Sequence, residues 1–304
     1  MNATIPSYGE IHDRNTGIYD AEDQEKIRKA NIAVIGQGCV GELESMVLAK
    51  IGFCRITISD FDKYEPANMN RNPLARVSVL GVKKADVVED FVKDCEPYLT
   101  LNKIGKVTEE NAQAYLAGHD VILQAIDDMP SRVIVHRAAR ELGIPCVTMS
   151  GGPPYRSIVS TFMPDGIDYE TAFGLPTKGM SFEDPAKRKE IAKLMINQRA
   201  EYAGQHGEDP EWARKFISGE RPIWSVTPER AYPCGVDCVH ETIKYALGRK
   251  YELEKKEKLV TAPDAIVIDK TGAVFKEFGI EIEGIREMVV KDAMTKVPEL
   301  YKMF

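Results

Sequence analysis

A chain of 304 residues, 43% hydrophobic and 29% charged, has an ordinary globular composition and enough length to bury a large core. Its net charge of −7 argues against a general nucleic-acid-binding or membrane-binding surface. The opening MNATIPSYGEIHDRN lacks an apolar signal segment and no stretch reaches membrane-span length, so a cytoplasmic protein is expected.

Six cysteines (Cys39, Cys54, Cys95, Cys146, Cys234 and Cys238) are scattered without a C-x-x-C pair. Neither a disulfide framework nor a structural zinc is expected from that spacing.

The first predicted element is an amphipathic helix over 19–29. NIAVIG then reads as a buried parallel strand, GQGCVG as a turn, and ELESMVLAKIG as a helix. RITISDFD is a second strand ending in acids, followed by a helix over 82–95, a weak strand over 98–104 and a helix over 108–117. DVILQAID, SRVIVHRAARELG and PCVTMS continue as strand, helix, strand. This alternation predicts an α/β fold: a Rossmann-like, mostly parallel sheet with helices on both faces.

After Gly151-Gly152 the pattern changes. RSIVSTFMPDG reads as an antiparallel strand, and 165–230 as a helical insertion holding DPAKRKEIAKLMINQRAEYA, DPEWARKFI, Trp212 and Trp224. A helix near 235–247 carrying His240, a strand pair in AIVIDKTGAVFKEF and a helical tail from 281 complete the chain. The expected organisation is a nucleotide-binding core over 1–164 with an N-terminal arm and a substrate-recognising insertion over 165–230. Residues 231–280 complete the fold, and 281–304 form a tail.

Gly36, Gly38 and Gly41 form G-x-G-x-x-G between a strand and a helix. Such glycines permit a tight turn and close backbone approach, and the helix N-terminus offers N–H groups and positive dipole to an anion. Asp60, 19 residues after Gly41, ends the next strand, where a carboxylate accepts hydrogen bonds from ribose. These features suit either ATP or NAD. Arg71 and Lys84 favour a triphosphate, since one can hold a phosphate bidentately and the other supplies a point charge. Asp127 closes a strand at the sheet's carboxyl edge and is a candidate Mg²⁺ ligand. A plainer alternative makes Arg71 and Lys84 surface cations and lets Asp127 or Asp128 cap the helix beginning near Ser131.

Taken together, GQGCVG, Asp60-Phe61-Asp62, Asn68-Met69-Asn70-Arg71, Gly81 to Lys84, and Asp127-Asp128 with Arg132 resemble the ThiF/MoeB/HesA group, relatives of the ubiquitin-activating enzymes. The resemblance implies an ATP- and Mg²⁺-dependent adenylyltransferase that activates a carboxylate as an acyl-adenylate and releases pyrophosphate. By that resemblance Gly36, Gly38, Cys39, Gly41, Asp60 and Asp62 belong to the nucleotide cradle. Asn68, Arg71 and Lys84 hold phosphates, and Asp127 holds Mg²⁺. Arg14 resembles an arginine that reaches across a homodimer to the neighbouring ATP. The implied substrate is the C-terminus of a small ubiquitin-like or sulfur-carrier protein, a peptide, or a modified nucleotide.

Departures accompany the resemblance. Cys39 stands where the family has a third glycine, Asn72 where it has Gln, and Asp128 where it has Asn. A thiol at a helix N-terminus tends towards a lower pKa. No cysteine occurs between 147 and 233, so Cys234 and Cys238 are the late candidates for a reactive thiol. Their Gly-Val-Asp-Cys setting is similar to one in the tRNA threonylcarbamoyladenosine dehydratases, which gives an alternative ATP-dependent cyclisation. Two further alternatives are an NAD-dependent oxidoreductase and a non-catalytic half of a heterodimer.

Overall fold

The computed structural model describes residues 4–152, 156–205, 209–221, 225–248, 265–269 and 288–289. Apolar residues two apart along β1 (Asn31–Ile35) fall into separate cores: Ile32 and Val34 on one face, Ala33 and Ile35 on the other. A strand buried on both faces belongs at the centre of a layered sheet. There β1 lies between β2 (Arg55–Ser59) and β4 (Val121–Gln124), parallel to both.

The sheet extends through β3 (Thr100–Ile104) on one side and β5 (Cys146–Gly152) on the other, both parallel. β6 (Arg156–Phe162) then pairs antiparallel with β5, β7 (Ala265–Asp269) with β6, and β8 (Met288–Val289) with β7. The order is β3-β2-β1-β4-β5-β6-β7-β8. Strand order reverses at β1 and β4, and in open α/β sheets it is the crevice beyond the carboxyl ends at such a switch that takes ligands.

One face carries α2 (Ala21–Lys29), α3 (Cys39–Ile51), α4 (Lys84–Cys95) and α10 (Pro228–Ala246). The other carries α5 (Ala112–Leu116), α6 (Met129–Leu142), α7 (Tyr169–Ala172) and α8 (Pro185–Gln205). α9 (Pro210–Ser218) lays Trp212 and Ala213 on Ala200 of α8. A short α1 (Tyr8–Ile11), capped by Ser7, opens the described chain.

Three expectations need correction. The helix expected near 235–247 begins at Pro228, because proline suits the first helical position, where the N–H it lacks would have had no intrahelical acceptor. The helix expected over 108–117 is only the five residues of α5. In the tail, expected to be helical, Met288–Val289 is a strand on the open edge of β7. The second half of the expected strand pair, and the rest of the tail, lie outside the described residues.

Candidate active site

The glycine loop bridges β1 and α3 at the crevice. Gly36 has φ 102°, and a Cβ there would sit 2.9 Å from the carbonyl of Ala125. A Cβ on Gly41 would come 1.8 Å from the Gly36 oxygen. Both glycines are therefore required by packing. Gly38 differs: it is the N-cap of α3, and a Cβ on it would meet nothing within 4 Å. Space is therefore left beside the N-terminus of α3, whose free amides suit an anion.

The loop is fixed from behind and from the side. Gln37 is fully buried; its Nε2 donates to the Val34 carbonyl and its Oε1 accepts from Ser45 Oγ at 3.0 Å. The Gln37 N–H donates to Asp60 Oδ2 and the Asp62 N–H to Asp60 Oδ1, each at 2.7 Å. Burial raises the Asp60 carboxyl above its ordinary value, against the opposing pull of Lys84 and the two N–H groups.

Lys84, the first residue of α4, is buried, and its Nζ meets Asp62 Oδ2 at 3.0 Å. Asp60, Asp62 and Lys84 thus form one cluster beside the loop. Arg71 arrives from the segment that crosses over α3: its carbonyl accepts from Cys39 Sγ at 3.2 Å, while its Nη1 donates to the Ala67 carbonyl and Asn70 Oδ1. That segment is tied down by the buried Glu42, whose two oxygens take Asn72 Nδ2 and the Leu74 N–H.

The loop Ala125–Asp128 forms the opposite lip. Ala125 N–H donates to the Ile35 carbonyl, and Gln124 Nε2 and Arg132 Nε both donate to the Ile126 carbonyl. Asp127 is exposed there, next to the backbone that packs on Gly36. Asp128, not Asp127, caps α6, accepting from Ser131 N–H at 3.0 Å and Ser131 Oγ at 2.5 Å. Arg188 of α8 also donates to Asp128. Sequence reasoning missed Arg188 entirely, because the 60-residue separation carries no periodic signal. Among the described residues no cluster of three metal-ligating side chains exists. A lone exposed carboxylate at the crevice nevertheless suits a hard cation that keeps waters and shares phosphate oxygens.

The structure adds detail to four of the sequence readings. The Oδ1 of Asn68 accepts the Glu65 N–H at 2.9 Å, so that buried side chain closes its own 3₁₀ turn. Burial pushes the Cys39 thiol up to about 12, outweighing the pull of Arg71. Cys234 and Cys238 are fully buried where α10 packs on α3, so a reactive role lacks the access it needs. Arg14 is exposed in a 3₁₀ turn whose next residue, Asn15, donates to the Ile51 carbonyl at the C-terminal end of α3. The 13 residues of α3 put that end about 20 Å from the glycine loop. Within one chain, Arg14 and the crevice are therefore apart.

An open, mostly parallel sheet with a glycine-lined helix N-terminus at its topological switch, flanked by Asp60, Lys84 and Asp127, defines a doubly wound α/β protein. Within that class the chain belongs to the ThiF family, which it matches over residues 12–261. It is 30% identical over 127 residues to a sulfur carrier protein adenylyltransferase of Thermus thermophilus, covering 41% of this chain and 47% of that one. It is 28% identical over 155 residues to a SAMP-activating enzyme E1 of Haloferax volcanii, covering 50% of this chain and 56% of that one. The chain thus spans about half the length of these curated relatives. A solved structure of the microcin C7 biosynthetic enzyme MccB with N-formylated MccA shares the fold, with TM-score 0.62 and 16% identity over 94% of this chain and 74% of that one. No helix among the described residues is long and apolar enough to cross a membrane.

Proposed function

We propose that this chain is an ATP-dependent adenylyltransferase that activates a substrate carboxylate. The observation that carries the reading is the junction of the glycine cradle with the Asp60–Asp62–Lys84 cluster on one side and the Asp127 lip on the other. Ribose hydroxyls would bond to Asp60, the triphosphate would lie along the α3 amides, and Lys84 and Arg71 would balance its charge. Lys84 exchanges its Asp62 partner for phosphate at small cost, because Asp62 is half-exposed and returns to water.

A substrate carboxylate oxygen attacks the α-phosphorus, the bond from that phosphorus to the bridging oxygen breaks, and pyrophosphate leaves. Nucleophile and electrophile are both anionic, so placement and cationic neutralisation supply the catalysis. Asp127 would hold Mg²⁺, which when bound spreads the charge of the departing pyrophosphate.

The working unit in this reading is a homodimer, with Arg14 of one protomer reaching the other's nucleotide. Its distance from the crevice of its own chain supports action in trans. The substrate class we favour is the C-terminal carboxylate of a small carrier protein or peptide, because the named curated relatives act in sulfur-carrier and SAMP activation. The insertion over 165–230 is the candidate substrate reader.

The test is carboxylate-dependent exchange of pyrophosphate into ATP with candidate carrier C-termini, together with ATP binding to wild type, Lys84→Ala and Asp127→Ala. Loss of exchange in both variants is expected. Unchanged nucleotide affinity in both would refute the site.

A further inference from the structure

Among the described residues the insertion meets the rim of the crevice twice: Asn70 Nδ2 donates to the Val226 carbonyl at 3.1 Å, and α8 reaches Asp128. α8 is seated on the α6 side of the sheet by Met195, which is buried, and by the half-buried Ile191 and Ile196. In its first turn Arg188 donates from one Nη to Asp128 Oδ2 and, at 2.6 Å, to Ser131 Oγ. The guanidinium makes no other hydrogen bond among the described residues, and its side chain is 23% exposed.

Asp128 does not need its charge to cap α6, since a neutral Asn caps a helix equally well. An extra carboxylate beside Asp127 repels any polyanion in the crevice unless a cation offsets it. Arg188 is that cation, and it comes from the insertion and not from the nucleotide core. We infer that Arg188 is a positioning residue for the nucleotide. It neutralises Asp128 and steadies the lip that carries Asp127, so triphosphate affinity depends on the seating of the insertion helix. This inference rests on the adenylation reading above.

The experiment is calorimetric titration of the full chain with ATP and Mg²⁺, and separately with adenosine as a phosphate-free probe. Arg188→Met is expected to weaken ATP about tenfold, the effect of one uncompensated charge several ångströms from the phosphates. Adenosine affinity should not move. Adding Asp128→Asn to Arg188→Met should restore ATP binding, because it removes the stranded charge while keeping the cap. Arg188→Lys should stay close to wild type.

A tie that merely anchors α8 predicts otherwise: ATP and adenosine fall together and Asp128→Asn brings no rescue. That pattern, or ATP binding to Arg188→Met at wild-type strength, overturns the inference. If Arg188→Met does not fold, Asp128→Asn alone decides, because its unopposed Arg188 should tighten ATP; no change there overturns the inference as well. A wild-type chain that fails to bind ATP at all is a different result, which removes the adenylation reading and this inference with it.

Discussion

Both oxygens of Asp60 are held by main-chain N–H groups, one of them from Gln37 in the glycine loop at 2.7 Å. The acid at the end of β2 therefore shapes the loop as well as facing the crevice. Asp60→Asn keeps one acceptor but turns an amide towards the second N–H. We expect a loss of about 1–3 kcal/mol in stability and weaker nucleotide binding. Denaturant melts and ATP titration of the variant check both effects.

Gly38 and Gly41 should part company under the same substitution. Gly41→Ala forces a Cβ into the Gly36 carbonyl and should cost several kcal/mol or prevent folding. Gly38→Ala meets open space, so its melting temperature should match wild type while ATP affinity falls. Thermal unfolding with and without ATP separates the two, and equal behaviour would contradict the cradle.

Glu44 lies wholly inside the α3–α10 packing with Oε2 unpartnered, and burial pushes its carboxyl up to about 8 from an ordinary 4.5. Below pH 4.5 both folded and unfolded states are protonated. As pH rises towards 8 the unfolded chain releases the proton while the fold retains it, so stability falls across that window and levels off above it. Glu44→Gln should remove a decline on the order of 2–5 kcal/mol between those limits. Comparing urea melts of the two proteins at pH 5 and pH 8.5 measures it.

Native alkylation ranks the thiols. Cys95 is partly exposed and should react first, whereas Cys39, Cys146, Cys234 and Cys238 are buried and should react only on unfolding. Peptide mapping after brief iodoacetamide treatment reads the order. Rapid modification of Cys234 in the folded protein would reopen its candidacy as a reactive thiol.

Arg14 acting in trans has a distinctive signature. Arg14→Ala and Lys84→Ala should each be inactive, yet mixed subunits should regain about one quarter of wild-type exchange, since half the dimers then hold one intact site. No recovery on mixing would remove the cross-subunit role.

Much of this was readable in the sequence because the signals were local. The glycine spacing, the β-branched runs and the acid closing β2 are all set by near neighbours, and the mostly parallel sheet follows from strand–helix alternation, although its strand order does not. What escaped depends on tertiary packing. Asn68 and Asp128 are chemically able to bind ligand or to cap, and only the fold shows each closing its local turn. Cys234 and Cys238 face inward because α10 lies on α3 at Gly235, whose missing side chain admits Leu43 and Val40. The Arg188 contact joins elements that no spacing rule connects, and β8 appears where the tail's composition suggested a helix.

A carboxylate offers about four lone-pair directions, and the two main-chain donors on Asp60 occupy only half of them. If Asp60 takes a ribose, as proposed, the sugar hydroxyls would meet acceptor directions that the main-chain donors leave open. Little ordering entropy should be lost at that end of the nucleotide. On that reading discrimination between guests would fall to the lips, where Lys84 would have to leave Asp62.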